Sequence, residues 1–435
     1  MIGGEGLHYI GSMSRLLLLL SLLCATWFAT AALPSWGASE PFGLRVDFSP
    51  VSRSETAEPP VESDLSDQEL REQIAMLEER LAEERYGSGP FGLNMSETLN
   101  DLARTYKALG RTGEALGAWQ EALYLVRVNE GLYAPSQGPL VRQILETLRE
   151  AEDFTALDNR YDYFFRLYGA GQPPFTDVRL GALREYLRWQ REALLRRIDG
   201  IAKTRLLRIY NLSYDTWEAV TEDPESSWEL VVASGEEMMN ALHLIELLVE
   251  PPERIDARRD EFRVTQDDPL DFDLEQERLD NIQRTLRRRG REVLETMEAV
   301  IPATETEQWA RVKMSQADWL MWLGASREAR GRYEELWSKM RARGEGELAD
   351  AWFAKPTPLP DNDVFRYPGR QPVAVVRAFV ETSPTGRGRA TTPTEQAYST
   401  RVRRTLNGMR YRPAIVAGEA LDAQLGPENF GYFER

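Results

Sequence analysis

The stretch LNDLARTYKALGRTGEALGAWQEA, residues 99–122, decides the fold, because residues 141–164, VRQILETLREAEDFTALDNRYDYF, repeat its apolar positions 42 residues later. Leu99, Leu102, Ala103 and Tyr106 correspond to Val141, Ile144, Leu145 and Leu148; Ala115, Trp119 and Ala122 correspond to Leu157, Tyr161 and Phe164. Within each copy the apolar residues recur at the three- and four-residue spacings of one helix face. A fixed period of this size marks stacked helical hairpins, each able to bury its apolar stripe only against the next. Gly110 supplies the left-handed conformation of a tight turn between two helices. The second copy has Glu152 at that position and Phe164 in place of a small residue, which predicts looser or shifted packing there. The connectors match as well, Gly89 and Phe91 with Gly131 and Tyr133.

Outward from the repeat, Leu183, Tyr186 and Leu187 continue the period into a third copy, after which the register is lost. Residues 201–250 and 274–300 keep a helical pattern, and 254–274, rich in Asp and Arg with Pro269, reads as an exposed connector. Ala317, Leu320, Gly324, Ala329 and Tyr333 restore the spacing and predict another hairpin between Arg311 and Met340. The helical array is expected to span 87–354 and to end at a Pro-rich linker, 355–372, which no helix can cross. Val373–Val380 is β-branched and bounded by turn residues, so it reads as a strand. A short strand at Arg387–Thr391, a helix at Glu395–Met409 and a closing strand at Tyr411–Leu421 complete a small α+β module over 373–423.

On the N-terminal side, Leu70, Ile74, Leu77 and Leu81 form the stripe of an acidic helix over 64–86. It either packs on the first repeat or forms a short coiled-coil seam. Between Glu40 and Arg85 stand 13 acids and 5 Arg. Residues 39–63 lack periodicity and read as a disordered linker. Residues 1–38 read as a signal peptide, with Met13 the more natural start: Arg15 precedes the apolar run Leu16–Leu23, and small residues follow at Ala29, Ala31 and Ala38. The longer run Leu16–Leu33 leaves a retained anchor open. Cys24, the only cysteine, follows bulky Leu23, which disfavours lipidation; the mature chain has no cysteine for a disulfide or a thiolate metal site.

The spacing of Leu102, Ala103, Tyr106, Gly110, Ala115, Trp119 and Ala122 resembles the tetratricopeptide repeat. The expected fold class is therefore mainly α: a helical-hairpin, tetratricopeptide-like solenoid followed by the small α+β C-terminal domain. Val375, Val376 and Phe379, with Met409-Arg410-Tyr411-Arg412-Pro413-Ala414 and Gly418, resemble the C-terminal domain of the TonB family of energy transducers. No long Pro-Lys spacer precedes it; a helical array occupies that place. In tetratricopeptide arrays the first helices of the hairpins line a groove. That resemblance implies Asn100, Arg104, Lys107, Arg142, Glu146 and Arg149 as partner-binding residues, suited to an acidic segment or a C-terminal carboxylate.

The net charge of −17 disfavours nucleic acid as a partner. It is unevenly spread: Val373–Ala423 holds 8 Arg against 4 acids, so the rest of the chain carries −21. A basic module on an acidic array suggests intramolecular docking, or recognition of an acidic peptide or glycan. His243 is the one histidine of the mature chain and sits in an apolar helical stretch, a core or helix-surface position. No metal-ligand, nucleophile or phosphate-loop pattern is present, so no catalytic, cofactor-binding or metal residue is assigned and no cofactor is expected. The expectation is an exported bacterial periplasmic scaffold binding protein partners in the cell envelope through the groove and the terminal domain. Membrane contact follows only if the N-terminal segment is retained. Two other readings stand beside it: a divergent TonB-type transducer anchored in the inner membrane, and a periplasmic enzyme acting on cell-wall glycan.

Overall fold

Ser66 opens the first long helix, α1 (Asp67–Ser88), with a reciprocal cap in which its side chain accepts from Glu69 N–H and Glu69 receives the Ser66 N–H. The computed structural model describes residues 40–48, 66–198, 200–249, 274–367 and 369–434. The expected signal peptide, residues 49–63 of the expected linker and most of the 254–274 connector lie outside these. Helix α1 buries Leu70, Ile74, Leu77 and Leu81 and packs on α2 (Met95–Ala108), and Tyr106 reaches back to donate to Glu78 Oε1 at 2.6 Å. Its apolar stripe is used within the chain.

From there the described residues as far as 353 are mainly helical. The helices are α3 (Thr112–Glu130), α4 (Gln137–Glu150), α5 (Phe154–Leu167), α6 (Asp177–Arg196), α7 (Ala202–Glu222), α8 (Trp228–Leu248), α9 (Leu274–Val300), α10 (Thr306–Trp322), α11 (Ser326–Ala342) and α12 (Gly346–Phe353). Each packs on the next, and α6 also meets α8. Short connections up to α8 make neighbours antiparallel, so α2, α4, α6 and α8 recur on one side, and α10 lines the same cleft as α6 and α8. The repeat positions are the packed ones: Ala103, Ala115, Trp119, Ala122, Val141, Ile144, Leu157 and Phe164 are all at 0% exposure. The looser second copy expected from Glu152 is not found. Glu152 adopts φ +55°, the same left-handed turn that Gly110 makes at +71° and Gly324 at +81°, and Phe164 is enclosed. The turn is kept at the cost of about 1 kcal/mol of backbone strain. The hairpin expected between Arg311 and Met340 is α10–α11, and α12 extends the array by one helix.

The C-terminal region is a sheet of four antiparallel strands in the order β1-β8-β3-β4: β1 (Val46–Phe48), β8 (Ala423–Tyr432), β3 (Ala374–Thr382) and β4 (Gly388–Thr391). A helix, α13 (Ser399–Gly408), covers it. Two-stranded ribbons join β2 (Thr357–Leu359) to β5 (Arg410–Arg412), and β6 (Ala414–Val416) to β7 (Glu419–Leu421). Three expectations are corrected here. The start of the linker is structured: Phe42, Leu44 and Val46 are buried, and β1 pairs with β8. The Pro-rich stretch is not a linker, because Leu359, Val364 and Phe365 are buried in the same core as α6–α12, as are Ile415 and Ala420. The module does not close at Leu421: that strand breaks into β5, β6 and β7, and β8 fills the sheet. Gly426-Pro427 hides β8 from a sequence reading. It falls where the register against β3 shifts between Ala378 and Val380, so the missing proline N–H costs no ladder bond. All described residues belong to one compact unit, Ser39–Arg435.

Candidate functional site

The six residues read as groove-lining lie on α2 and α4, and most are already engaged. Lys107 pairs with Glu146 at 3.3 Å and Glu150 at 3.1 Å on α4. Arg142 is bound by Glu185 of α6 and lies over the Phe164 ring. Arg149 holds both oxygens of Glu192 at 2.7 and 2.6 Å. Burial opposes the Arg149 charge, but the Glu192 carboxylate keeps the guanidinium above its ordinary value. Asn100 accepts from the Trp119 indole at 3.0 Å. Arg104 alone has no partner among the described residues. It lines a small hollow with Asn100, Arg142 and Tyr168. The expected surplus of basic side chains is therefore largely neutralised by acids one period further on, Glu150, Glu185 and Glu192, which the repeat places opposite them.

The same pairing carries on from α6 to α8, where Arg184 reaches Glu236 at 3.0 Å and Arg191 reaches Glu237 at 2.5 Å. Beyond these pairs the face opens. A cleft of about 1040 Å³ is lined mainly by α6, α8 and α10, with Trp352 of α12, the segment Leu359–Arg366 and Arg412; Arg149 of α4, alone of the six residues read as groove-lining, reaches its edge beside Tyr161, and Leu294 and Met297 of α9 add to its wall. Helical spacing sets each wall: Arg184, Arg188 and Arg191 on α6; Glu236, Asn240 and His243 on α8; Arg311, Asp318 and Trp322 on α10.

A buried fork ties the C-terminal module to this cleft, beside the packing of Ile415 and Ala420 into the helical core and the Ala420 N–H donated to Glu334 Oε1 at 3.1 Å. Arg412 Nε and Nη2 donate to Asp318 Oδ1 at 3.0 Å and Oδ2 at 2.6 Å, and Nη2 also reaches Asp361 at 3.1 Å. Tyr333 donates to the same Asp318 Oδ1 at 2.8 Å. Burial works against the Arg412 charge, yet Asp318 and Asp361 raise its pKa above the usual value. Burial, seconded by Asp318, pushes the Tyr333 hydroxyl well up. Gly386, at φ +73°, lies where a Cβ would strike Met321 of α10 and the Tyr411 carbonyl, which is how closely the module approaches.

The floor of the cleft is α8. Asn240 and His243 are each 7% exposed. His243 Nδ1–H donates to the Met239 carbonyl at 2.8 Å, a partner that can only accept, so in the neutral ring Nε2 carries the lone pair. Burial drives the His243 pKa down to about 4, against a weaker upward pull from that hydrogen bond. The ring meets Trp319 and Trp322 edge to face at centroid distances of 5.0 and 5.7 Å. One turn on, burial pushes Glu246 up to about 7. Asn240 makes no side-chain hydrogen bond within the described residues, and Arg188 has no acidic partner there.

Sequence reasoning missed Asn240 and Arg188. The available signal was the run Glu236, Asn240, His243 at i, i+4, i+7 inside an otherwise apolar helix. Among the described residues no group of three or more His, Cys, Asp or Glu is arranged to hold a metal ion, and no helix is long and apolar enough to cross a membrane. No protein-family model matches the sequence, and no curated protein matches it.

Proposed function

We propose that this chain is a non-enzymatic adaptor of the cell envelope: a tetratricopeptide-like scaffold, exported to the periplasm, that binds an extended segment of a protein partner in the cleft above α8. The observation that carries this reading is the cleft itself. Three helices from successive hairpins supply its walls, and the C-terminal module supplies a fourth. Pockets of this size commonly hold a ligand through apolar walls and a few converging polar groups. The likeness of the C-terminal module to the TonB family is kept as part of the proposal. Arg412 of its Tyr411-Arg412-Pro413 stretch is occupied in docking onto Asp318, which favours a built-in wall over a free-standing transducer domain.

A photo-crosslinking amino acid placed at Arg188 and, separately, at Arg104 tests the reading in intact cells. The expected result is a discrete crosslinked protein from position 188 and none from 104. Crosslinking from 104 alone would return the site to the N-terminal groove. Fractionation of the same cells tests the address, since a released periplasmic form is expected and a membrane-bound form favours the anchored alternative.

A further inference from the structure

The cleft floor carries two side chains more than nine-tenths buried whose hydrogen-bonding capacity is unspent, Asn240 and the Nε2 side of His243. Both line the open volume, one turn apart on α8, and Arg188 of α6 faces the same space without a carboxylate. The Asn240 amide and His243 Nε2 open onto the cleft and are paired by no side chain or backbone group of the described residues, so an occupant that meets them adds a directed hydrogen bond at each. The three groups specify different things. A primary amide offers a donor and an acceptor side by side, the complement of one backbone peptide unit. The His243 lone pair calls for an N–H or O–H. Arg188 calls for an anion.

We infer that the cleft reads an extended acidic peptide by its backbone: Asn240 pairs with one peptide unit, His243 Nε2 accepts the next N–H, and Arg188 takes a carboxylate. This rests on the partner-segment reading above and narrows it to a ligand class. The inner row from α6 to α10 is two helix spacings across, about 20 Å, which an extended strand covers in roughly six to eight residues. A glycan fits less well, because the aromatic rings that could carry a sugar already have partners. Trp189 stacks on Tyr161 at 5.1 Å and meets the Arg149 guanidinium, Trp352 carries Arg311, and the indole nitrogen edge of Trp319 lies against Gly290. His243 stays neutral across the physiological range, so its Nε2 remains an acceptor.

The test selects octapeptides from a random phage library on the immobilised full chain and resynthesises the best with a fluorescent label. Its partners are an analogue N-methylated at alternate backbone nitrogens and a chitooligosaccharide. Anisotropy is expected to show binding that N-methylation weakens by about tenfold or more, with Asn240→Ala and His243→Phe weakening it similarly. Arg188→Gln is expected to weaken binding and flatten its salt dependence. Nitrogen-15 NMR of labelled histidine gives a readout independent of mutation: peptide should move the His243 Nε2 resonance. Unchanged affinity for the N-methylated analogue, or in Asn240→Ala, overturns the backbone reading while leaving a peptide cleft. If no peptide is selected, or only the oligosaccharide binds, the partner-segment reading falls with it.

Discussion

The inner faces of the first hairpins and of the later ones are built from the same residue types and behave differently. From α2 to α6 three of the four basic side chains, Arg104 excepted, close onto acids 43 residues ahead: Lys107 onto Glu150, Arg142 onto Glu185 and Arg149 onto Glu192. Across α6, α8 and α10 the same pattern starts, then yields to Asn240 and His243, and the wall opposite comes from the C-terminal module. A regular repeat satisfies itself, because each copy presents the partner of the copy before. Room for a ligand arises where the repeat loses register.

The strongest way to break this comparison is to remove the fork that holds the fourth wall. Arg412→Leu leaves Asp318 and Tyr333 buried without their cation, and it should cost about 3–5 kcal/mol in chemical denaturation. Asp318→Leu and Arg412→Met combined with Tyr333→Phe, which removes the hydroxyl that Asp318 accepts, should recover most of that loss. A loss under about 1 kcal/mol for Arg412→Leu would mean that the module is not held by this pair.

The second contrast is in pH. His243 titrates near 4 in the folded chain against 6.5 in the unfolded one, so the unfolded state binds more protons between those values and stability falls as the pH drops through that window. Glu246 titrates near 7 against 4.5, so the folded state binds more protons and stability falls as the pH rises from 4.5 to 7. The two contributions oppose each other and nearly cancel between about 4.5 and 6.5. Glu246→Gln should expose the His243 slope, about 3 kcal/mol in total, and His243→Phe the opposite one. Identical pH profiles for the native chain and both variants would show that neither group is buried as described.

The smallest effect belongs to the N-terminal face. Lys107→Met removes two partly exposed ion pairs, to Glu146 and Glu150, and should change stability by no more than about 1 kcal/mol, with less effect in high salt. A loss beyond 2 kcal/mol, set against the ordinary worth of an exposed pair, would place the structural weight on that face instead.

What the sequence reveals follows the same division. The apolar period from Leu99 to Phe164 gives helices, pairing and core, because a helix face is a local property. Leu70, Ile74, Leu77 and Leu81 give α1, but the stripe alone does not say what covers it; the contact with α2 does. Strand β1 and the burial of Leu359, Val364 and Phe365 depend on partners hundreds of residues away or on the opposite side of a core, and Pro-rich composition masks them. Arg104, Arg142 and Arg149 are legible as an inner face. Their counter-charges are equally visible one period ahead, and become meaningful only once the hairpins stack. Asn240 and Arg188 become site residues through a wall that the α6 and α8 sequences do not contain.

On the proposed reading the partner sits above α8 and not along α2 and the body of α4. Hydrogen–deuterium exchange of the full chain, with and without a selected octapeptide, tests it most directly. Slower exchange is expected in α6, α8, α10 and residues 359–366, with α2 unchanged and α4 affected no further than its last turn at Arg149. Protection confined to residues 95–150 would contradict it.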